Sequence, residues 1–80
     1  MDFQETSNIL KSIISDVFDL LIKKYLSGID ENDAQRITEI KEKLAKTEKS
    51  LDENDIKVST IRKAVRLAKE LIDDLETKDK

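Results

Sequence analysis

The residues with the clearest chemical potential in this 80-residue chain are carboxylates in two similar segments. Residues 29–34 read Ile-Asp-Glu-Asn-Asp-Ala, and residues 51–56 read Leu-Asp-Glu-Asn-Asp-Ile. Clustered carboxylates suit calcium, which takes about 6–8 oxygen ligands. Neither segment is an EF-hand, because Gln35 stands where that loop needs glycine, and Lys41 and Lys63 stand where it needs its last acid. The simpler interpretation is that these acids cap helices, since Asp and Asn are preferred caps.

A bundle of three helices that run up, down and up would bring the end of the third helix back to the first acidic segment. Repulsion among the carboxylates gathered there would favour a divalent cation. The predicted calcium ligands are Asp30, Glu31, Asp33, Asp73, Asp74 and Glu76. An alternative site at the opposite end of the bundle would use Asp52, Glu53 and Asp55. No cofactor is required by the sequence, and Ca²⁺ is the one ion that it suggests.

The last part of the chain carries a basic surface. Residues 56–80 contain seven basic and five acidic residues, although the whole chain has a net charge of −3. Four cations project away from the apolar seam there and would contact a polyanion or an acidic partner: Arg62, Lys63, Arg66 and Lys69. Nucleic acid is the obvious polyanion, but no aromatic residue is interleaved and the glycine turn of a helix-turn-helix is missing. Nucleic-acid binding is therefore the third choice.

The chemistry of most enzymes is missing from this composition. The chain has no His and no Cys, so it lacks the usual general base, the usual zinc ligands and a thiol nucleophile. A Ser-His-Asp triad cannot be built from it. Proton transfer would depend on surface carboxylates, lysines and Tyr25. We expect a protein that is not an enzyme.

The elements that position these residues are predicted to be helices. The chain has no Pro and a single Gly, and 41% of its residues are charged, which suits solvated helices around a narrow core. The predicted fold is all-α: one domain, residues 1–80, forming a compact antiparallel bundle of three helices. They span about 6–27, 32–50 and 55–76, followed by a tail at 77–80. A break near Ser59 would divide the last helix and give four pieces.

The first helix has a broad apolar face. Thr6 or Ser7 would cap its start, and Gly28 would end it with a positive φ. Its charged residues rule out a membrane span. Its apolar residues exceed what two narrow partner helices can cover, so an uncovered strip would seek a second copy or a partner helix. They are Ile9, Leu10, Ile13, Ile14, Val17, Phe18, Leu20, Leu21, Ile22, Tyr25 and Leu26.

The second helix has a narrow seam, and its start resembles a capping box formed by Asn32 and Gln35. Its seam follows a heptad spacing: Ile37, Ile40, Leu44, Thr47 and Leu51. The three helices are expected to bury one shared core. Its predicted members are Ile13, Val17, Leu21, Ile40, Leu44, Ala68 and Leu71.

The function that this pattern favours is that of a small, non-enzymatic binding module. It would act through protein–protein or self-association surfaces, with a partner that the sequence does not name. Calcium binding at an acidic end of the bundle is the alternative. The segment Met-Asp-Phe-Gln-Glu-Thr-Ser-Asn lacks the basic region of a signal peptide, so we expect a cytoplasmic protein.

Overall fold

Three helices make up the structure, a computed structural model that describes residues 3–51 and 56–77. They are α1 (Phe3–Leu26), α2 (Glu31–Lys49) and α3 (Ile56–Glu76). The helices pack against one another, so the predicted all-α three-helix bundle is confirmed. The four-piece alternative is not observed, because α3 continues through Ser59 without a break. In the described part of the chain, no helix combines the length and the apolar character that crossing a membrane requires.

The helices run up, down and up, as contacts between their ends show. Lys23, near the end of α1, forms an ion pair with Asp33 in the first turn of α2. Lys24 donates hydrogen bonds to the backbone carbonyls of Asp74 and Thr77, at the end of α3. α1 and α3 are therefore parallel neighbours, and α2 runs antiparallel to both. α1 packs against α3 more extensively than either packs against α2.

The sequence predicted how α1 ends at Gly28, but it did not predict where α1 begins. Gly28 has a φ of 92°, and the N–H groups of Ser27 and Gly28 both donate to the carbonyl of Lys23, which closes the helix as expected. At the other end the prediction was wrong. The chain is already helical at Phe3, so neither Thr6 nor Ser7 caps the helix, and Thr6 is instead buried in its first turns.

The N-cap of α2 lies two residues before the predicted one. Asp30, rather than Asn32, is the N-cap: its Oδ1 accepts from the N–H of Asp33 at 2.9 Å. The Asp33 carboxylate accepts in return from the N–H of Asp30 at 3.2 Å, which completes a capping box. Asp30 with Asp33 and Asn32 with Gln35 both have the spacing of a capping box. The box that forms is the one between Asp30 and Asp33, and both of these carboxylates also lie close to Lys23 Nζ.

One hydrophobic core joins the three helices, and its predicted members are partly correct. The whole α2 seam from Ile37 to Leu51 is buried, with Thr47 donating its hydroxyl to the carbonyl of Lys43. Leu21 and Leu71 are only half-buried at the edge of the core, and Leu20 takes the central place expected for Leu21. The buried apolar residues are Leu10, Ile13, Val17, Leu20, Ile37, Ile40, Leu44, Leu51, Val58, Ile61, Val65, Ala68, Ile72 and Leu75.

Several predictions fall on residues 1–2, 52–55 and 78–80, which lie outside the described residues. They include the alternative acidic site of Asp52, Glu53 and Asp55, and most of the tail at 77–80.

Candidate interaction surface

The end of the bundle that was predicted to hold calcium is lined by lysines as well as carboxylates. Lys23 Nζ lies 2.7 Å from Asp33 Oδ2 and 3.6 Å from Asp30 Oδ2. Across the bundle, Lys41 Nζ lies 3.0 Å from Glu76 Oε1. The topology that brings the acidic segments to one end is therefore as predicted, but the repulsion that would favour a divalent cation is relieved by ammonium groups.

The contact between Lys23 and Asp33 shifts the pKa of both groups. The hydrogen bond from Lys23 lowers the pKa of the Asp33 carboxyl below its ordinary value, and the backbone N–H of Asp30 adds to this effect. The same hydrogen bond raises the pKa of the Lys23 ammonium, against a smaller opposing effect of burial. Each shift favours the charged form, as expected for a structural ion pair that holds the start of α2 to the end of α1.

The six predicted calcium ligands do not form a metal-binding cluster. Among residues 3–51 and 56–77, no three acidic side chains are grouped closely enough to hold a metal ion. Glu31, Asp73 and Asp74 are exposed, whereas Asp33 and Glu76 bind lysines. Calcium binding stays a prediction, and the geometry gives it no added support.

The predicted basic residues do lie on the outside of α3. Arg62, Lys63, Arg66 and Lys69 are all exposed. Lys69 is engaged across the groove between α2 and α3, where its Nζ lies 2.7 Å from Glu48 Oε2. The surface therefore contains an internal ion pair, and binding of a polyanion there stays a prediction.

Ion pairs cross both of the grooves that border α2. Arg36 Nη2 of α2 lies 3.9 Å from Asp16 Oδ1 of α1. On the other side, the pair formed by Lys69 and Glu48 and the pair formed by Lys41 and Glu76 connect α3 to α2. The outer surface of α2 is charged along its length, as its sequence shows. These two sides of the bundle are therefore polar.

The third side, between α1 and α3, is apolar. Phe18, Ile22 and Tyr25 follow one another along α1 at helical spacing and are 49%, 57% and 91% exposed. Leu67 of α3 is 46% exposed, and half-buried residues fill the space beneath. We call this surface the α1–α3 face; its residues are Ile14, Phe18, Leu21, Ile22, Tyr25, Leu67 and Leu71. The prediction that α1 carries an uncovered apolar strip is confirmed.

The register of the two helices places these side chains side by side. Lys24 reaches Asp74 and Thr77, which lie 50 and 53 residues further along the chain. At the other end, Ile14 and Ala64 line the same groove. Between these two points Phe18 is level with the stretch from Leu67 to Leu71. The exposed residues therefore form one continuous surface shared by two helices.

The contribution of α3 to this face was missed by the sequence analysis. Leu67 was not among the residues predicted to form the core or the uncovered apolar strip. The sequence nevertheless contains a pattern that indicates this surface: Thr60, Ala64, Leu67 and Leu71 recur at steps of 3–4 along α3. A second stripe of this kind indicates a helix with two neighbouring surfaces.

Comparisons of this chain with protein-family models, with curated proteins and with solved structures find no match.

Proposed function

We propose that this protein is a non-enzymatic interaction module that binds an apolar helical surface of another protein chain through its α1–α3 face. The observation that carries the proposal is the contrast between the three sides of the bundle. Two are crossed by ion pairs, and the third presents Phe18, Ile22, Tyr25 and Leu67 to solvent. Contiguous apolar side chains on a soluble domain are typical of contact surfaces.

The composition of the face also supports binding. Aromatic residues are enriched at the centres of protein interfaces, and this chain has only two Phe and one Tyr. Two of these three side chains, Phe18 and Tyr25, lie on the face, and neither is needed to fill the core. Burying a large apolar side chain fully contributes about 1.5–3 kcal/mol, so covering these exposed side chains would provide a driving force for association.

The catalytic alternative has weaker support. Within residues 3–51 and 56–77, the groups with shifted pKa values are Lys23 and Asp33; they hold the start of α2 in place, and each shift favours the ordinary charged form. A catalytic base or acid is typically shifted towards neutral pH instead. The proposal therefore gives this cluster a structural role.

The test uses a defined probe. An amphipathic peptide of about 18 residues, with Leu along one helical face and no net charge, is labelled and titrated with the protein, and its fluorescence anisotropy is followed. We expect micromolar binding that Ile22→Ser weakens about tenfold. Ala45→Ser, in the groove between α2 and α3, is the matched control and should leave binding unchanged.

Two results would contradict the proposal. The first is that a scrambled peptide of the same composition binds as well as the amphipathic one. The second is that Ala45→Ser weakens binding as much as Ile22→Ser, because the peptide would then contact a different side of the bundle.

A further inference from the structure

Charged residues flank the apolar α1–α3 face, with cations near the start of the two helices and carboxylates, together with Lys24, towards their ends. Lys11 of α1 and Lys63 of α3 are exposed and lie at the same level, near the start of both helices. Asp19 of α1 and Asp74 of α3 are exposed and lie further along, towards the ends of the two helices. In the pair on α1 and in the pair on α3 the cation therefore comes first and the anion second.

This order is self-complementary when two copies meet with their helices antiparallel. On α1, Lys11 and Asp19 are eight residues apart, about 12 Å along the helix. The two-fold axis would lie in the plane of the face, perpendicular to the helices, at the level of Ser15. It brings Lys11 of one copy next to Asp19 of the other, and this contact occurs twice by symmetry. On α3 the same axis passes at the level of Leu67, with Lys63 on one side of it and Asp74 on the other.

The shape of the face is complementary to itself about the same axis. At the start of the helices lies an apolar groove of about 190 Å³, lined by residues of both helices that include Phe3, Ile14 and Ala64. Towards their ends, Ile22 and Tyr25 project into solvent. Rotation about the axis at Ser15 places these projecting side chains over the groove of the second copy. Charge and shape therefore indicate one axis independently.

The size of the molecule also fits a dimer formed through one of its long sides. The molecule extends 42 × 20 × 16 Å, so its broad side is comparable to the roughly 800 Å² that each partner buries in a standard interface. Interfaces between identical chains are most often isologous, with one patch used by both copies. On the proposed axis, Leu67 of one copy would meet Leu67 of the other.

We infer that the occupant of the α1–α3 face is a second copy of this chain, bound in an antiparallel two-fold dimer with the axis between Ser15 and Leu67. This inference rests on the proposed function, because it names the partner of the same face. In the dimer α1 packs along α1 and α3 along α3. The two copies form two stacked layers, each made of one α1 and one α3, with both α2 helices outside.

Sedimentation equilibrium between about 10 µM and 1 mM tests the dimer, for which we expect a Kd of tens of micromolar. Lys11→Glu and Asp19→Lys should each weaken it about tenfold, because each creates two repulsive contacts by symmetry. The double variant Lys11→Glu/Asp19→Lys should restore the Kd to within about threefold of the original value. Leu67→Lys, which sets two ammonium groups together on the axis, should leave a monomer throughout.

The matched controls are Lys46→Glu and Glu42→Lys, which reverse exposed charges on the outside of α2 and should not change the Kd. All the substituted positions are exposed, including Leu67 at 46%. Circular dichroism of each variant checks that it folds. A wild-type protein that is monomeric at 1 mM, or a double variant that is no tighter than the single ones, would overturn the inference. If that monomer still binds the amphipathic peptide through Ile22, the proposed function stands and only the identity of the partner is wrong.

Discussion

At the scale of single residues, Asp33 connects two helices. Its carboxylate accepts from the N–H of Asp30, which closes the capping box of α2, and it also binds Lys23 at the end of α1. The Asp33 side chain is buried although it is charged, and its contacts with the N–H of Asp30 and with Lys23 Nζ make this possible. The loop between α1 and α2 is therefore held by contacts at both of its ends.

The N-cap can be tested by substitution. Asp30→Ala removes the side chain that accepts from Asp33 and should lower the free energy of unfolding by about 1 kcal/mol. Asn32→Ala is the control, because Asn32 lies inside the first turn and does not cap it; its effect should stay within about 0.5 kcal/mol. Urea unfolding measures both. Equal losses from the two variants would contradict the assignment of the cap.

The pH dependence of stability should show the shifted pair. The folded-state pKa of Asp33 is lowered, so its contribution is complete above the unfolded value of 3.8 and is lost as pH falls through the folded pKa. The pKa of Lys23 is raised, so its contribution is complete below 10.5 and is lost as pH rises through the folded pKa.

The measurement compares unfolding of the original protein and Asp33→Asn across this range. Asn keeps an acceptor for the N–H of Asp30 but removes the charge. The difference in stability between the two proteins should be flat from about pH 5 to pH 9 and should shrink on both sides of that window. A difference that stays the same at pH 2 and pH 7 would mean that the charge of Asp33 contributes nothing.

Calcium should act on this end of the bundle only as a salt. Since Lys23 and Lys41 already neutralise Asp33 and Glu76, melting in about 10 mM calcium chloride should coincide with melting in sodium chloride of equal ionic strength. A higher melting temperature in calcium, reduced by Asp74→Asn, would instead support the calcium site.

The location of the acidic residues could be predicted from the sequence, but their partners could not. Helix order alone places Asp33 and Asp74 at one end of the bundle. Whether a carboxylate faces another carboxylate or a lysine depends on which side chains of different helices are level, and a single sequence does not contain that register. For this reason Lys23, Lys24 and Lys41 were missed.

At the scale of elements, α2 was predicted better than α1 because its apolar pattern is narrower. The seam from Ile37 to Leu51 has a single heptad phase, so only one face can point to the core. α1 is apolar over more than half its circumference, and Leu20 and Leu21 are equally plausible core residues by periodicity. The packing of α1 against both other helices decides between them: Leu20 is buried in the shared core, and Leu21 lies at its edge.

The phase of α1 can be tested with neighbouring substitutions. Leu20→Ala should lower the free energy of unfolding by about 2–5 kcal/mol, because Leu20 is 2% exposed and its loss leaves a cavity. Leu21→Ala removes a half-buried side chain at the edge of the core and should have a clearly smaller effect, about 1–2 kcal/mol. Chemical denaturation measures both. A larger loss from Leu21→Ala would show that α1 is rotated relative to this structure.

At the scale of the whole molecule, a small core and an uncovered face are connected. A chain of this length buries only a limited apolar area, and its stability is correspondingly modest. Pairing two copies through the α1–α3 face would enlarge the buried area without adding residues, and it would stabilise the fold in proportion to protein concentration. The apolar width of α1, which exceeds what α2 and α3 cover, is then used by the dimer.

NMR amide shifts recorded from about 20 µM to 1 mM show whether the α1–α3 face joins two copies of the chain. We predict that the amides of Ile14, Phe18, Ile22 and Leu67 shift together with one midpoint, while those on the outside of α2 stay constant. Spectra that do not change with concentration, or shifts confined to α2, would contradict the claim.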